Sequence, residues 1–165
     1  MSFLNRIFSA DFKGAFQPTD KVRVETHPDD DKQSVLRFGD GGDDFLPVEG
    51  TPDEKRDLAE ILSKVIESPT QLKKLRDLPL ADRPVLAFES GAGCYGSCNG
   101  KRIMLSKKMG TGYRTAKTFV HELQHQYQFK HDGVDKYKNG LSLAEDILDD
   151  RLNESAAEMA SCQYM

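Results

Sequence analysis

The sequence predicts an α+β fold. Three observations lead there: short apolar runs bounded by turn residues, four expected helices marked by an apolar stripe or a helix-start signal, and the order in which they come. That order is hairpin, helix, short helix, strand, strand, helix, helix. The chain has 165 residues, 38% hydrophobic and 30% charged, with a mean hydropathy of -0.60. A domain of this size can bury a core without disulfide staples.

Residues 1–50 read as an N-terminal arm and hairpin packed on the body, and 51–165 as the main domain. Phe3, Leu4, Ile7, Phe8, Phe12 and Phe16 give the arm an apolar side. Val22 and Val24 alternate with polar residues over Lys21 to Thr26, and Ser34 to Phe38 is a second apolar run. With HPDDD between them, the two runs predict a loose hairpin. GDGGDD (39–44) reads as a solvated turn, since its spacing does not match a calcium loop.

Thr51-Pro52-Asp53-Glu54 combines an N-cap, a first-turn Pro and a capping-box Glu. Leu58, Ile61, Leu62, Val65 and Ile66 then repeat as one buried stripe, so a helix is expected over 51–67. A shorter helix carries Leu72, Leu75 and Leu78 and ends at Pro79. Val85 to Glu89 reads as a strand. Asn99-Gly100 is a hairpin signal, with Lys101 to Ser106 as the return strand. A helix is expected from about Thr115 to Lys130, with Gly133 as its C-cap. Ser142 with Glu145 opens a last helix reaching about Ser161.

Composition excludes several function classes. No run approaches the ~18–20 apolar residues of a membrane span. A net charge of -4 and a pI near 5.6 argue against general nucleic-acid binding. Three cysteines cannot all pair internally, and the N-terminal stretch lacks a signal-peptide core. A monomer with free thiols in the reducing cytoplasm is therefore expected, export by a signal-less route being the alternative. Cys94 and Cys98 read as turn residues and His27 as a solvated loop residue.

His121-Glu122-Leu123-Gln124-His125 carries the chemistry. Two histidines four residues apart on a helix project from one side, a spacing that lets two imidazoles bind one Zn²⁺ per chain. Glu122, rotated about 100° from His121, is placed to move a proton between water and a leaving amine. Ala116, Phe119, Val120, Leu123 and Tyr127 form the apolar stripe of the same helix, which leaves the histidine side for a cleft.

A catalytic zinc needs a third protein ligand and one open position. Glu154, separated from His125 by 28 residues and placed on the last helix, is one candidate. Ala156, Ala157 and Ala160 would let that helix approach closely, and Glu158 could accept a hydrogen bond from a ligand histidine. Glu158 is itself an alternative ligand. His131 is the third candidate: it stands at the distance of an extended H-E-x-x-H-x-x-G-x-x-H motif. Gln128, however, occupies the Gly position that lets such a chain turn back to the metal.

HELQH on one helix, followed by NESAAE on a later one, resembles the gluzincin branch of the zincin metallopeptidases, in particular small bacterial members. The resemblance implies a minimal zincin-like fold: a small antiparallel or mixed sheet, a backing helix, the motif helix and a C-terminal helix. It implies His121, His125 and Glu154 as zinc ligands, Glu122 as general base and acid, and a peptide or protein as substrate. It also implies Lys101–Ser106 as the edge strand that a substrate pairs with. The basic run Lys101, Arg102, Lys107, Lys108, Arg114 and Lys117 would then favour acidic substrates, or simply solvate the edge. Tyr113, Tyr127, Tyr137, His131 and Arg151 are candidate oxyanion donors. The alternative function is a non-catalytic zinc-binding or protein-interaction module derived from a zincin, which would need no base at position 122.

Overall fold

The computed structural model describes residues 21–90, 94–131 and 143–164, with backbone alone for 131, 143–150 and 164. The expected N-terminal arm, the Gly133 cap, Tyr137 and Ser142 lie outside the described residues. The fold is α+β. Among the described residues are strands β1 (Arg23–His27), β2 (Asp30–Arg37) and β3 (Phe45–Val48), then helices α1 (Pro52–Val65) and α2 (Pro69–Asp77). Strands β4 (Val85–Glu89), β5 (Gly96–Cys98) and β6 (Arg102–Ser106) follow, then helices α3 (Tyr113–His131) and α4 (Leu143–Tyr164).

The strands form one mixed sheet in the order β1-β2-β3-β4-β6-β5. β1, β2 and β3 pair antiparallel, β3 and β4 parallel, β4 and β6 parallel, and β6 and β5 antiparallel. Leu36, Leu46, Leu86, Ile103 and Leu105 are fully buried on the sheet. They share one core with Leu58, Ile61, Leu62 and Val65 of α1, Leu75 of α2, and Ala116, Phe119, Val120 and Leu123 of α3.

Several expectations change in detail. The hairpin is tight rather than loose: the acidic HPDDD stretch is mostly strand, and only Pro28 and Asp29 turn. A register shift between Thr26 and His27 gives β1 a bulge. His27 is half-buried rather than solvated. Its ring meets Phe45 edge-on at 5.2 Å, and its Nδ1 accepts from the Asp29 N–H. Strand β3 is absent from the sequence reading because it is four residues long and contains Pro47. The glycine-rich turn before it is anchored at its end, where Asp44 pairs with Arg76 at 2.7 Å.

The largest correction concerns the strand 102–106. The Asn99-Gly100 turn does close a hairpin, with Gly100 at φ +79°, but the hairpin joins β5 to β6. β6 is therefore interior, parallel to β4 on one side and antiparallel to β5 on the other. The sheet edge beside the motif helix is β5, Gly96–Cys98, and not Lys101–Ser106. Two of the basic residues around β6 are engaged. Arg102 pairs with Glu49 at 2.7 Å, and Lys107 pairs with Glu54 at 3.0 Å.

Helix α1 begins as its sequence predicts. Thr51 Oγ1 accepts from the Glu54 N–H, and the Glu54 carboxylate accepts from the Thr51 N–H at 2.8 Å. That backbone hydrogen bond, with Lys107 and the Thr51 hydroxyl, lowers the Glu54 pKa from 4.5 to about 2. Replacing Thr51 with Ala should cost about 1 kcal/mol of stability in urea denaturation. The depressed pKa of Glu54 means its contribution is present above pH 4.5 and is lost as pH falls towards 2. A Glu54→Gln variant should therefore show a shallower fall in thermal midpoint than the parent between pH 5 and pH 2.

Candidate metal centre

Helix α3 carries the site because its periodicity separates three faces. Ala116, Phe119, Val120 and Leu123 recur at three- and four-residue steps and are buried against the sheet. His121 and His125 stand on the opposite side, half-buried. Glu122, 7% exposed, lies on the flank towards β5. The helix starts after Gly110 and Gly112, where Thr115 Oγ1 donates to the Gly110 carbonyl at 2.8 Å.

Gln126 sets the spacing between α3 and the sheet edge. Fully buried, it donates from Nε2 to the carbonyls of Asp82 at 2.6 Å and Gly100 at 3.2 Å, and its Oε1 accepts from Cys98 Sγ at 3.3 Å. The approach is close at Gly96. A Cβ there would sit 2.7 Å from Thr118 Cγ2 and 3.0 Å from Glu122 Oε1. Only glycine lets β5 pass beside the Glu122 carboxylate without displacing it.

Helix α4 closes the other side. Ala157, Ala160 and Ser161 are buried, and Ala156 is half-buried, so the expected small-residue approach is present. Lys117 of α3 pairs with Glu158 of α4 at 3.0 Å. This hydrogen bond is the main reason the Glu158 carboxyl lies below its ordinary pKa and the Lys117 ammonium above its own; Cys162 donates a second to Glu158.

Three sequence-predicted ligands meet. His121 Nε2 and His125 Nε2 are 3.1 Å apart. Glu154 places one carboxylate oxygen 3.3 Å from His121 Nε2 and the other 3.4 Å from His125 Nε2. A tetrahedral ion with bonds of about 2.0–2.1 Å holds its ligand atoms about 3.3 Å apart. The two ring nitrogens lie close to that separation, and one ligand atom from each of His121, His125 and Glu154 lies within 4.8 Å of the others, a group that could hold a metal ion. The donor chemistry agrees. Two ring nitrogens and a carboxylate converge on one point, and a cation between them relieves their mutual repulsion.

The other candidates separate. α3 continues unbroken to His131, which sets that backbone about 15 Å along the axis from His121. Glu158 lies 3.7 Å from His121 Nδ1, an electrostatic neighbour beyond hydrogen-bond length. Sequence reasoning missed Gln128 at the histidine ring, Asn153 beside the third ligand, and β5 as a wall. Gln128 carried a signal, being one helical turn beyond His125.

The group opens on a cleft of about 290 Å³, lined by Gly96, Ser97 and Cys98 of β5, by His121, Glu122, His125, Gln128 and Phe129 of α3, and by Asn153 and Glu154 of α4. A second hollow of about 350 Å³ adjoins it past His121 and Glu122, walled by Tyr95, Met109, Arg114 and Lys117. Cys98 thus faces a cleft from a strand rather than a turn. Of the candidate oxyanion donors, Tyr113 donates to Glu67 at 3.2 Å, and neither hollow is lined by Tyr113, Tyr127 or Arg151. Among the described residues, no helix is long and apolar enough to cross a membrane.

Comparison of the chain with protein-family models, with curated proteins and with solved structures found no match.

Calorimetric titration of metal-free protein with Zn²⁺ or Co²⁺ should give one ion per chain. Replacing His121, His125 or Glu154 with Ala should weaken binding by more than the roughly 10–100-fold that loss of an outer hydrogen-bond partner costs. Replacing His131 with Ala should leave it unchanged.

Proposed function

We propose that this protein is a zinc-dependent peptidase of minimal zincin type. The observation that carries the reading is the placement of Glu122, a buried carboxylate in the same cleft wall as a three-ligand group. A site built only to hold structure has four protein ligands and needs no such neighbour. Among the described residues the group supplies three, with a cleft on its open side. The likeness of HELQH and NESAAE to gluzincins supports the same conclusion.

A zinc ion held by His121, His125 and Glu154 supplies Lewis-acid polarisation of a carbonyl and acidifies water. The chain does the rest. Glu122 takes the proton from the attacking water and passes it to the leaving amine. Gly96 leaves the Glu122 carboxylate room to face the cleft. An extended peptide enters along β5, whose outer edge offers backbone donors and acceptors for strand addition. Gln126 holds that edge at a fixed distance from the motif helix. The two adjoining hollows flank the reacting centre and take the side chains on either side of the cleaved bond.

Zinc-loaded parent protein and a Glu122→Gln variant, incubated with a mixed peptide library and read by mass spectrometry, test the mechanism. The variant should bind one zinc as the parent does and lose about 10²–10⁴-fold in rate. Equal cleavage by the variant removes Glu122 from the mechanism. A parent that binds zinc and cleaves nothing is instead the non-catalytic module.

A further inference from the structure

We infer that Gln128 is a positioning residue that fixes the ring tautomer of His125 and docks the helix bearing the third ligand. The inference rests on the reading of His121, His125 and Glu154 as metal ligands. Gln128 is 4% exposed, between the two helices. Its amide bridges two groups: Nε2 lies 3.2 Å from the backbone carbonyl of Asn153, and Oε1 lies 3.0 Å from His125 Nδ1.

The chemistry of the two partners dictates the direction of both hydrogen bonds. A backbone carbonyl only accepts, so the amide nitrogen must face Asn153. The amide oxygen, which only accepts, is then turned to His125, and Nδ1 must carry the proton that it donates. A neutral imidazole bears one ring proton. His125 Nε2 is therefore left with its lone pair, directed towards His121 Nε2 and the Glu154 carboxylate. One buried amide thus selects the ligand-competent form of a histidine and holds the residue before Glu154. First ligand pair and third ligand are brought into register by the same side chain.

Position 128 is also where the extended H-E-x-x-H-x-x-G-x-x-H motif would have glycine. Here the helix continues, and the side chain at that position reaches the other helix instead. The bent backbone that would bring a third histidine round is replaced by a cross-helix bridge that brings a glutamate.

The test uses the full chain with uniformly ¹⁵N-labelled histidine and two variants. Gln128→Leu removes both hydrogen bonds. Gln128→Glu keeps an acceptor for His125 Nδ1. In metal-free parent protein at pH 8, long-range ¹H–¹⁵N spectra should show His125 as the Nδ1–H form. Gln128→Glu should keep that form, and Gln128→Leu should lose it. Zn²⁺ affinity should fall about 10–100-fold in Gln128→Leu, with a smaller loss in Gln128→Glu. Thermal melts of metal-free protein identify a variant that has failed to fold; should Gln128→Leu be one, the parent and Gln128→Glu spectra decide. An Nε2–H form in the parent overturns the inference, as does unchanged tautomer and affinity in a folded Gln128→Leu. A parent with the Nδ1–H form that binds no metal defeats the ligand reading instead, and the inference with it as a statement about metal.

Discussion

The rise and twist of one α-helix impose the constraint on which the site depends. Residues four apart on α3 return to nearly the same side, and residues three apart nearly so. Ala116, Phe119, Val120 and Leu123 use that period to bury one face against the sheet. His121 and His125 use the same period on the opposite face. The two sets cannot be moved independently. Any rotation that improved the packing of Phe119 would carry both imidazoles away from Glu154. The core therefore fixes the site's geometry as firmly as it fixes the fold, and the ligand triangle inherits its size from helix packing.

Two flanking elements complete that geometry by different means. On one side Gln126 fastens α3 to the β5–β6 turn through the Gly100 carbonyl and to the segment before β4 through the Asp82 carbonyl. On the other, Lys117 and Gln128 reach α4. These contacts are unequal. The Lys117–Glu158 pair is exposed on its acidic partner and contributes little in water. Gln126 and Gln128 are buried, where leaving one amide group without its partner costs about 1–3 kcal/mol. The polar contacts that matter for alignment are thus two neutral amides two residues apart in sequence, on either flank of the same helix.

Legibility in the sequence followed the range of the interactions. Helix α1 was readable because Thr51, Pro52 and Glu54 act on backbone within four residues. The motif helix was readable because its apolar stripe and its histidines share a local period. Strand β3 was not readable, since four residues including a proline have no periodicity to detect. Neither was the direction of β6. The Asn99-Gly100 turn specified a local hairpin, but the parallel pairing of β6 with β4 depends on contacts across the whole sheet. The site followed the same rule. His121, Glu122 and His125 came from spacing alone. Glu154 stood as one of three carboxylate or histidine alternatives, because convergence of two helices is a tertiary fact.

The two rims of the sheet differ in a way that bears on self-association. A bare strand edge is a template on which further strands can grow. The β1 rim carries Arg23 and Glu25 and is broken by the bulge at Thr26 and His27. The β5 rim has only three residues, backed by a helix. Among the described residues, one rim is charged and irregular, and the other is too short to hold a neighbour by backbone alone. A visiting strand therefore stays only where its side chains also fit the adjoining hollows. The same brevity that guards the sheet against fibre-like growth would, on the peptidase reading, make the cleft selective for chains it can grip by their side groups.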